Sequence, residues 1–334
     1  MIPIKVCVDI AGRVSGVTVL GSGTAAESLL ATPEWSTTLK NTPPRDPRES
    51  LRYYQRVLPV AKEFADQELL VMPSYTIGGA LFLQGYFGRA QEMLGQAIEP
   101  MLQYQGPSIE TLRCLLYYST ALAGTGRCQE SILGLARAQE WADQSDQPSY
   151  RAICLLIIGA AYLLMGDWPK MLQTSESILE YGQRTREALY VFGALDLMAW
   201  SQSYLGLHKQ AIEARSRAAE MRRAIVVGII GDWFEAGEAE ILLNAGRPED
   251  ALRQAQKVAA SSERDDLPFS QSIAERAWGC ALARHGENMA EAELHFAKAL
   301  EICERTGQRR NASQTHVFWG RVCRERGDEA AARE

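Results

Sequence analysis

From about residue 47 to the C-terminus, apolar positions recur three and four residues apart in stretches long enough for helices. Leu155, Ile158, Tyr162 and Met165 share one helical face, and Ala251, Leu252, Ala255 and Val258 share another. Glycines interrupt these stretches at a near-constant interval. Gly85, Gly126, Gly166, Gly206, Gly246, Gly286 and Gly327 are separated by 41, 40, 40, 40, 40 and 41 residues. Seven residues before each stands a small residue: Gly78, Ser119, Gly159, Ala199, Ala239, Gly279 and Gly320. Five residues after stand Ala90, Ser131, Met171, Ala211, Ala251, Glu291 and Ala332, with Ala292 next to Glu291 as though one residue were inserted there. Twelve after come Ala97, Ala138, Ile178, Ala218 and Val258, then Ala299 once that insertion is counted.

A glycine between two helical patterns ends the first by taking the left-handed conformation that a Cβ resists. Polar starters follow, as in "GDWPKM" and "GRPEDA", where Asp167 or Asp328 can cap the next helix and Pro169 or Pro248 fits its first turn. Small residues at fixed places let the two helices approach closely and the next pair nest against them. The repeating unit is a helical hairpin.

Across 72–334 this arrangement resembles the tetratricopeptide repeat, in a long form of about 40 residues. HEAT and armadillo arrays share the period but lack the fixed glycine and small-residue positions. The resemblance implies an all-α chain, a right-handed α-solenoid of seven stacked hairpins with the last one shortened. The segments "LLNAGRPEDAL", "GENMAEAELHFAKALEICERTGQRR" and "WGRVCRERGDEAAARE" also resemble the C-terminal repeat region of large bacterial signalling ATPases that carry a cyclase or a helix-turn-helix domain.

The repeat breaks toward the N-terminus. "RDPRESLRYYQRVL" aligns with "GRPEDALRQAQKVA", so 45–71 reads as the second helix of an incomplete repeat, while Pro33, Pro43 and Pro44 disfavour its first-helix partner. Residues 1–44 form a separate segment. Ile4, Val6, Val8 and Ile10 alternate, "AGR" supplies a turn, and Val17 and Val19 continue the alternation, which predicts a β-hairpin. "KVCVDIAGRVSGVTVLGSG" within 3–36 resembles the strand pair of TonB-type C-terminal domains, with "AAESLL" and Trp35 where that family has its helix and tryptophan. Two strands alone are marginal in water, so the hairpin is expected to pack on a repeat or on a partner strand. Solenoid ends without a polar cap expose an apolar face, which makes self-association through them an expectation.

A net charge of −6 with no basic stripe argues against nucleic acid. The longest apolar stretch, 152–166, is shorter than the roughly 20 residues that cross a bilayer, and no signal-type apolar run opens the chain. No membrane association and a cytoplasmic location are therefore expected. The seven cysteines form no CxxC pair and read as buried small hydrophobes in a reducing compartment. "VLGSGTAAES" has neither phosphate-loop spacing, His208, His285, His295 and His316 are scattered, and no nucleophile elbow occurs. No catalytic residue, metal ligand or cofactor site is expected, and the chain reads as a non-enzyme.

Function then falls to the surface. In tetratricopeptide arrays the first helix of each hairpin lines the concave side. Carried onto this chain, that geometry points Tyr75, Phe82, Arg113, Leu156, Asp196, Trp200, Trp233, Glu240, Arg276, Arg321 and Arg324 into a groove. Aromatic residues and arginine concentrate binding energy. The expected role is a scaffold or sensor that binds a peptide or protein segment within a signalling system. The alternative is a regulatory receptor for a small molecule or signal peptide that controls an effector domain.

Overall fold

The computed structural model describes residues 4–8, 14–19, 67–145, 147–222, 230–285, 289–328 and 332. The N-terminal unit, 1–65, contains two strands, β1 (Ile4–Val8) and β2 (Val14–Val19), paired antiparallel with Ile4 opposite Val19 and Val6 opposite Val17. The hairpin thus forms where the alternation predicts it, with an irregularity between Cys7 and Val8. The helix and Trp35 expected from the TonB resemblance lie outside the described residues. So does most of the second helix expected within 45–71.

The unit from 66 to 334 is an α-solenoid of stacked helical hairpins. Its described helices are α1 (Gln67–Gln84), α2 (Phe87–Gln105), α3 (Ile109–Gly124), α4 (Cys128–Gln144), α5 (Pro148–Met165), α6 (Trp168–Thr185) and α7 (Ala188–Tyr204). They continue as α8 (His208–Arg222), α9 (Ile230–Asn244), α10 (Pro248–Arg264), α11 (Pro268–His285), α12 (Met289–Thr306) and α13 (Arg309–Glu325). Helix α5 is long and apolar enough to cross a membrane, yet half of it is buried among α3, α6 and α7 as one more layer of the array.

The periodic glycines close the first helix of each hairpin. Gly85, Gly126, Gly166, Gly206, Gly246 and Gly327 all have positive φ, between 70° and 100°. At Gly166 the turn is closed by Asp167 N–H donating to Tyr162 O and Gly166 N–H to Leu163 O, which satisfies carbonyls the helix would leave open. Gly286 lies outside the described residues. Asp167 caps α6 through Lys170 N, and Pro169 and Pro248 occupy first turns as their positions predict.

The other periodic positions are where hairpins touch. Ala90, Ser131, Met171, Ala211, Ala251 and Ala292 are all fully buried, so Ala292 rather than Glu291 takes the sixth place. A Cβ on Gly159 would lie 2.7 Å from Leu197 Cδ1, and one on Gly279 would lie 2.8 Å from the Ala292 carbonyl oxygen. Small residues are needed there because another helix occupies the space.

A second series of left-handed residues, not evident in the sequence, joins one hairpin to the next. Gly106, Arg186, Asp266 and Gly307 have φ of 62°, 60°, 52° and 75°. Two of the four are not glycine, so composition alone does not mark these turns.

Candidate functional site

The first helices of the later hairpins meet in a buried polar cluster. Glu240 on α9 accepts from Trp200 Nε1 on α7 at 3.1 Å, from Tyr204 Oη at 2.7 Å and from Arg276 Nε on α11 at 2.9 Å. Arg276 also donates to Asn311 Oδ1 and Thr315 Oγ1 on α13, and its guanidinium lies 5.3 Å from the Phe318 ring centroid. Glu240 and Arg276 are each 1% exposed, so the pair must compensate a large desolvation cost through good geometry and extra hydrogen bonds. Burial, reinforced by the Glu240 charge, pushes the Tyr204 phenol well above its ordinary range. Asn311 Nδ2 extends the network to Ser272, and Ser272 to Gln308.

A second charged set joins hairpins four and five. Arg215 on α8 donates to Asp196 on α7 at 2.8 Å, and to Glu235 at 2.8 Å and Glu238 at 2.6 Å on α9. Glu235 is also approached by Arg222 and Lys257. Burial works against the Glu235 charge, but Arg215, Arg222 and Lys257 together hold its carboxyl at about 2. At Asp196 the balance reverses. Burial outweighs Arg215 and pushes the carboxyl up to about 6, and its second oxygen is buried with no hydrogen-bond partner. Only alanines and Arg215 of α8 are buried, so this junction is held by charge more than by apolar packing. Two clefts of mixed polar and apolar lining, of about 390 and 410 Å³, flank it, both bordered by Ala219 and Lys257.

The third feature brings the two ends of the array together. Trp233 Nε1 on α9 donates to Leu83 O at 2.9 Å, and Gln308 Nε2, just before α13, donates to Gly85 O at 3.2 Å. Phe87 is fully buried, its ring centroid 6.1 Å from Trp233 and 5.5 Å from Phe269, and Phe82 packs edge-on to Trp233 at 5.7 Å. Arg310 Nε donates to Met165 O at 3.1 Å, and Tyr86 Oη donates to Asp266 Oδ1 at 2.6 Å. The turn of the first hairpin is seated on residues of the fifth, sixth and seventh.

The structure therefore brings Trp200, Glu240 and Arg276 into direct contact, and Phe82 against Trp233. Asp196 is paired separately with Arg215. Tyr75 is half-buried beside Tyr117 and Arg113, and burial pushes its phenol well up. Leu156 is half-buried, with Cδ1 under Gly193, while Arg321 and Arg324 are exposed on α13. Phe82, Asp196, Trp200, Trp233, Glu240 and Arg276 are at most 2% exposed, buried by side chains and turns of the same chain. Residues that position alone did not single out include Tyr204, Arg215, Phe269, Gln308 and Asn311. A signal for some of them exists: Tyr204, Glu240 and Arg276 are spaced by 36, one helical turn short of the repeat, so they run diagonally across neighbouring first helices.

No family model matches the chain, and no curated protein matches it. Among solved structures, the chain is similar to a Rap protein complexed with competence and sporulation factor, with 12% identity and a TM-score of 0.61 over 77% of this chain and 70% of that one. It is similar to NprR in complex with its cognate peptide NprX, with 13% identity and a TM-score of 0.60 over 84% of each chain. Aspartyl phosphate phosphatase F from Bacillus subtilis matches with 12% identity and a TM-score of 0.53 over 82% of this chain and 71% of that one. These likenesses extend along most of the array, and the chain folds as a tetratricopeptide-type helical-repeat protein.

Proposed function

We propose that the solenoid is a non-catalytic recognition module of a cytoplasmic regulatory system, which binds a peptide or protein segment on the inner faces of its first helices. The observation that carries this reading is the Trp200, Tyr204, Glu240, Arg276, Asn311 and Thr315 cluster, gathered from four successive hairpins. Apolar residues of similar volume would stabilise the array at least as well. Trp200, Glu240 and Arg276 are at most 2% exposed and paired with one another, so the cluster's part is to fix the register of four first helices and with it the shape of the face a segment would meet. Two of the similar structures contain a bound signalling factor or cognate peptide, which supports a ligand of that class.

The test is a peptide-array screen against the full chain, followed by solution affinities for the half-buried Arg113→Ala and the exposed pair Arg321→Glu and Arg324→Glu. A segment whose binding falls about tenfold, or about 1.4 kcal/mol, with any of these supports the inner-face reading. A segment that binds all variants equally moves recognition elsewhere. The small-molecule alternative has one observation in its favour: the clefts beside Arg215 fall in the range of about 300–1,000 Å³ typical of ligand pockets. Loss of a small ligand on Lys257→Ala, with peptide binding unchanged, would support that reading instead.

A further inference from the structure

The turns at Gly126 and Gly166 lie against the side chains of Arg309 and Arg310, but the seat formed by Trp233, Phe269 and Gln308 receives the first turn by its backbone. A Cβ on Gly206, Gly246 or Gly327 would meet no atom within 4 Å, so those hairpin turns stand clear of the rest of the array. A Cβ on Gly85 would lie 2.4 Å from Phe269 Cβ and 2.7 Å from its backbone nitrogen. On the other side of the contact, a Cβ on Gly307 would lie 2.9 Å from Gly88 N. Glycine is used on both surfaces to let two backbones touch.

What the seat holds is also particular. An indole N–H and a carboxamide N–H receive two backbone carbonyls, of Leu83 and Gly85, and Trp233 and Phe269 receive the ring of Phe87. These are main-chain acceptors two residues apart followed by an aromatic side chain two residues on. Any peptide with an aromatic residue at that place can offer the same groups. We propose that the first hairpin turn is an internal latch occupying a binding subsite of the inner face, and that a peptide segment with an aromatic residue displaces it as the solenoid opens. The proposal rests on the reading of that face as a recognition surface and adds to it the ligand's chemistry and a closed state that must be released.

The latch has a weak outer edge and a tight centre. Tyr86 and Asp266 form its exposed hydrogen bond, and Asp266 takes a left-handed φ of 52°, which aspartate accepts more readily than most residues. Phe87 and Gly85 lie at the centre. Gly85→Ala introduces a clash with Phe269 that acts on the seated conformation alone, while its Cβ at φ 100° strains the turn whether seated or released. The apparent dissociation constant is the intrinsic one divided by the fraction of open molecules, and unlatching therefore tightens binding without any new contact.

The experiment uses the full chain and a labelled, end-capped peptide of its own residues 81–90, LFLQGYFGRA. In Gly85→Ala, amide exchange should rise around Trp233 and Gln308 with helix content retained, and the peptide should bind about tenfold more tightly than to wild type. Adding Gln308→Leu should remove that gain. Tyr86→Phe, which deletes one exposed hydroxyl, should shift both readouts the same way by a smaller amount, and it decides the matter if Gly85→Ala does not fold. Unchanged exchange in a folded Gly85→Ala, or raised exchange with no gain in peptide affinity, overturns the latch. If array peptides bind wild type and Gly85→Ala equally, the latch falls and the recognition reading stands. If no peptide binds either protein, both fall.

Discussion

Removing the Arg276 charge tests how the inner cluster is held. In Arg276→Met the guanidinium and its hydrogen bonds to Glu240, Asn311 and Thr315 disappear, and a side chain of comparable length fills the site. Glu240 keeps the Trp200 and Tyr204 donors but becomes a carboxylate, 1% exposed, with no counter-charge. Breaking a buried pair from one side costs about 3–5 kcal/mol, and Glu240→Gln should cost a similar amount by leaving Arg276 as the uncompensated ion. The double variant has no buried charge at this pair, and the carboxamide that replaces the Glu240 carboxylate still offers an oxygen to Trp200 and Tyr204. It should therefore be more stable than either single variant by about 2 kcal/mol, whereas independent sites would add their two losses to within roughly 0.5 kcal/mol. Urea unfolding of the four proteins followed by circular dichroism measures this. Additive losses, with the double variant the least stable, would refute the view that the pair is an isolated charge couple in a dry environment.

Three further outcomes are expected. Asp196 is protonated more readily folded than unfolded, with a carboxyl at about 6 against an ordinary 3.8, so the stability it contributes is complete below about 3.8 and is lost as pH rises through about 6. Asp196→Asn should thus match wild type near pH 4 and exceed it by about 2–3 kcal/mol at pH 7.5, where wild type must hold the ionised form; equal stability at pH 7.5 would contradict the burial argument. Glu235 has the opposite sign: its carboxyl at about 2 against 4.5 gives stability present above 4.5 and lost between 4.5 and 2, so Glu235→Gln should remove part of the acid-unfolding transition in that window. Arg186→Gly should stabilise the fold by up to about 1 kcal/mol by relieving the left-handed strain at φ 60°, while Gly246→Ala at φ 72° should destabilise it by about 1–2 kcal/mol although no atom crowds its Cβ.

The repeat was legible because its physics is local. A left-handed glycine and a small residue at a helix crossing leave a mark at one position each, and every described glycine of the series takes the conformation its place demands. The inter-hairpin turns were not legible, because Arg186 and Asp266 accept the same backbone strain without the residue type that announces it. Spacing singled out Trp200, Trp233, Glu240 and Arg276, and the structure buries all four. What each touches was not legible, since Trp233 bonds to a carbonyl 150 residues away and Arg215 reaches inward from a second helix. Contacts of that kind depend on how tightly the superhelix winds, the sum of many small inter-hairpin rotations that no single position records.

The seating of the first turn on the last hairpins changes how the chain must fold. An array in which each hairpin touches only its neighbours behaves as a one-dimensional string, able to fray from either end and to nucleate anywhere. Here the Gln308 to Gly85 hydrogen bond spans 223 residues, and the Phe87, Trp233 and Phe269 rings join segments as far apart as the chain's first and last thirds. Closing so long a loop costs entropy before any contact repays it, so folding should be slower than local helical order suggests, with ring closure as its late step. Once closed, the ends no longer fray independently. Damage at α13 should be felt as lost protection in α1, and the string behaves as a loop.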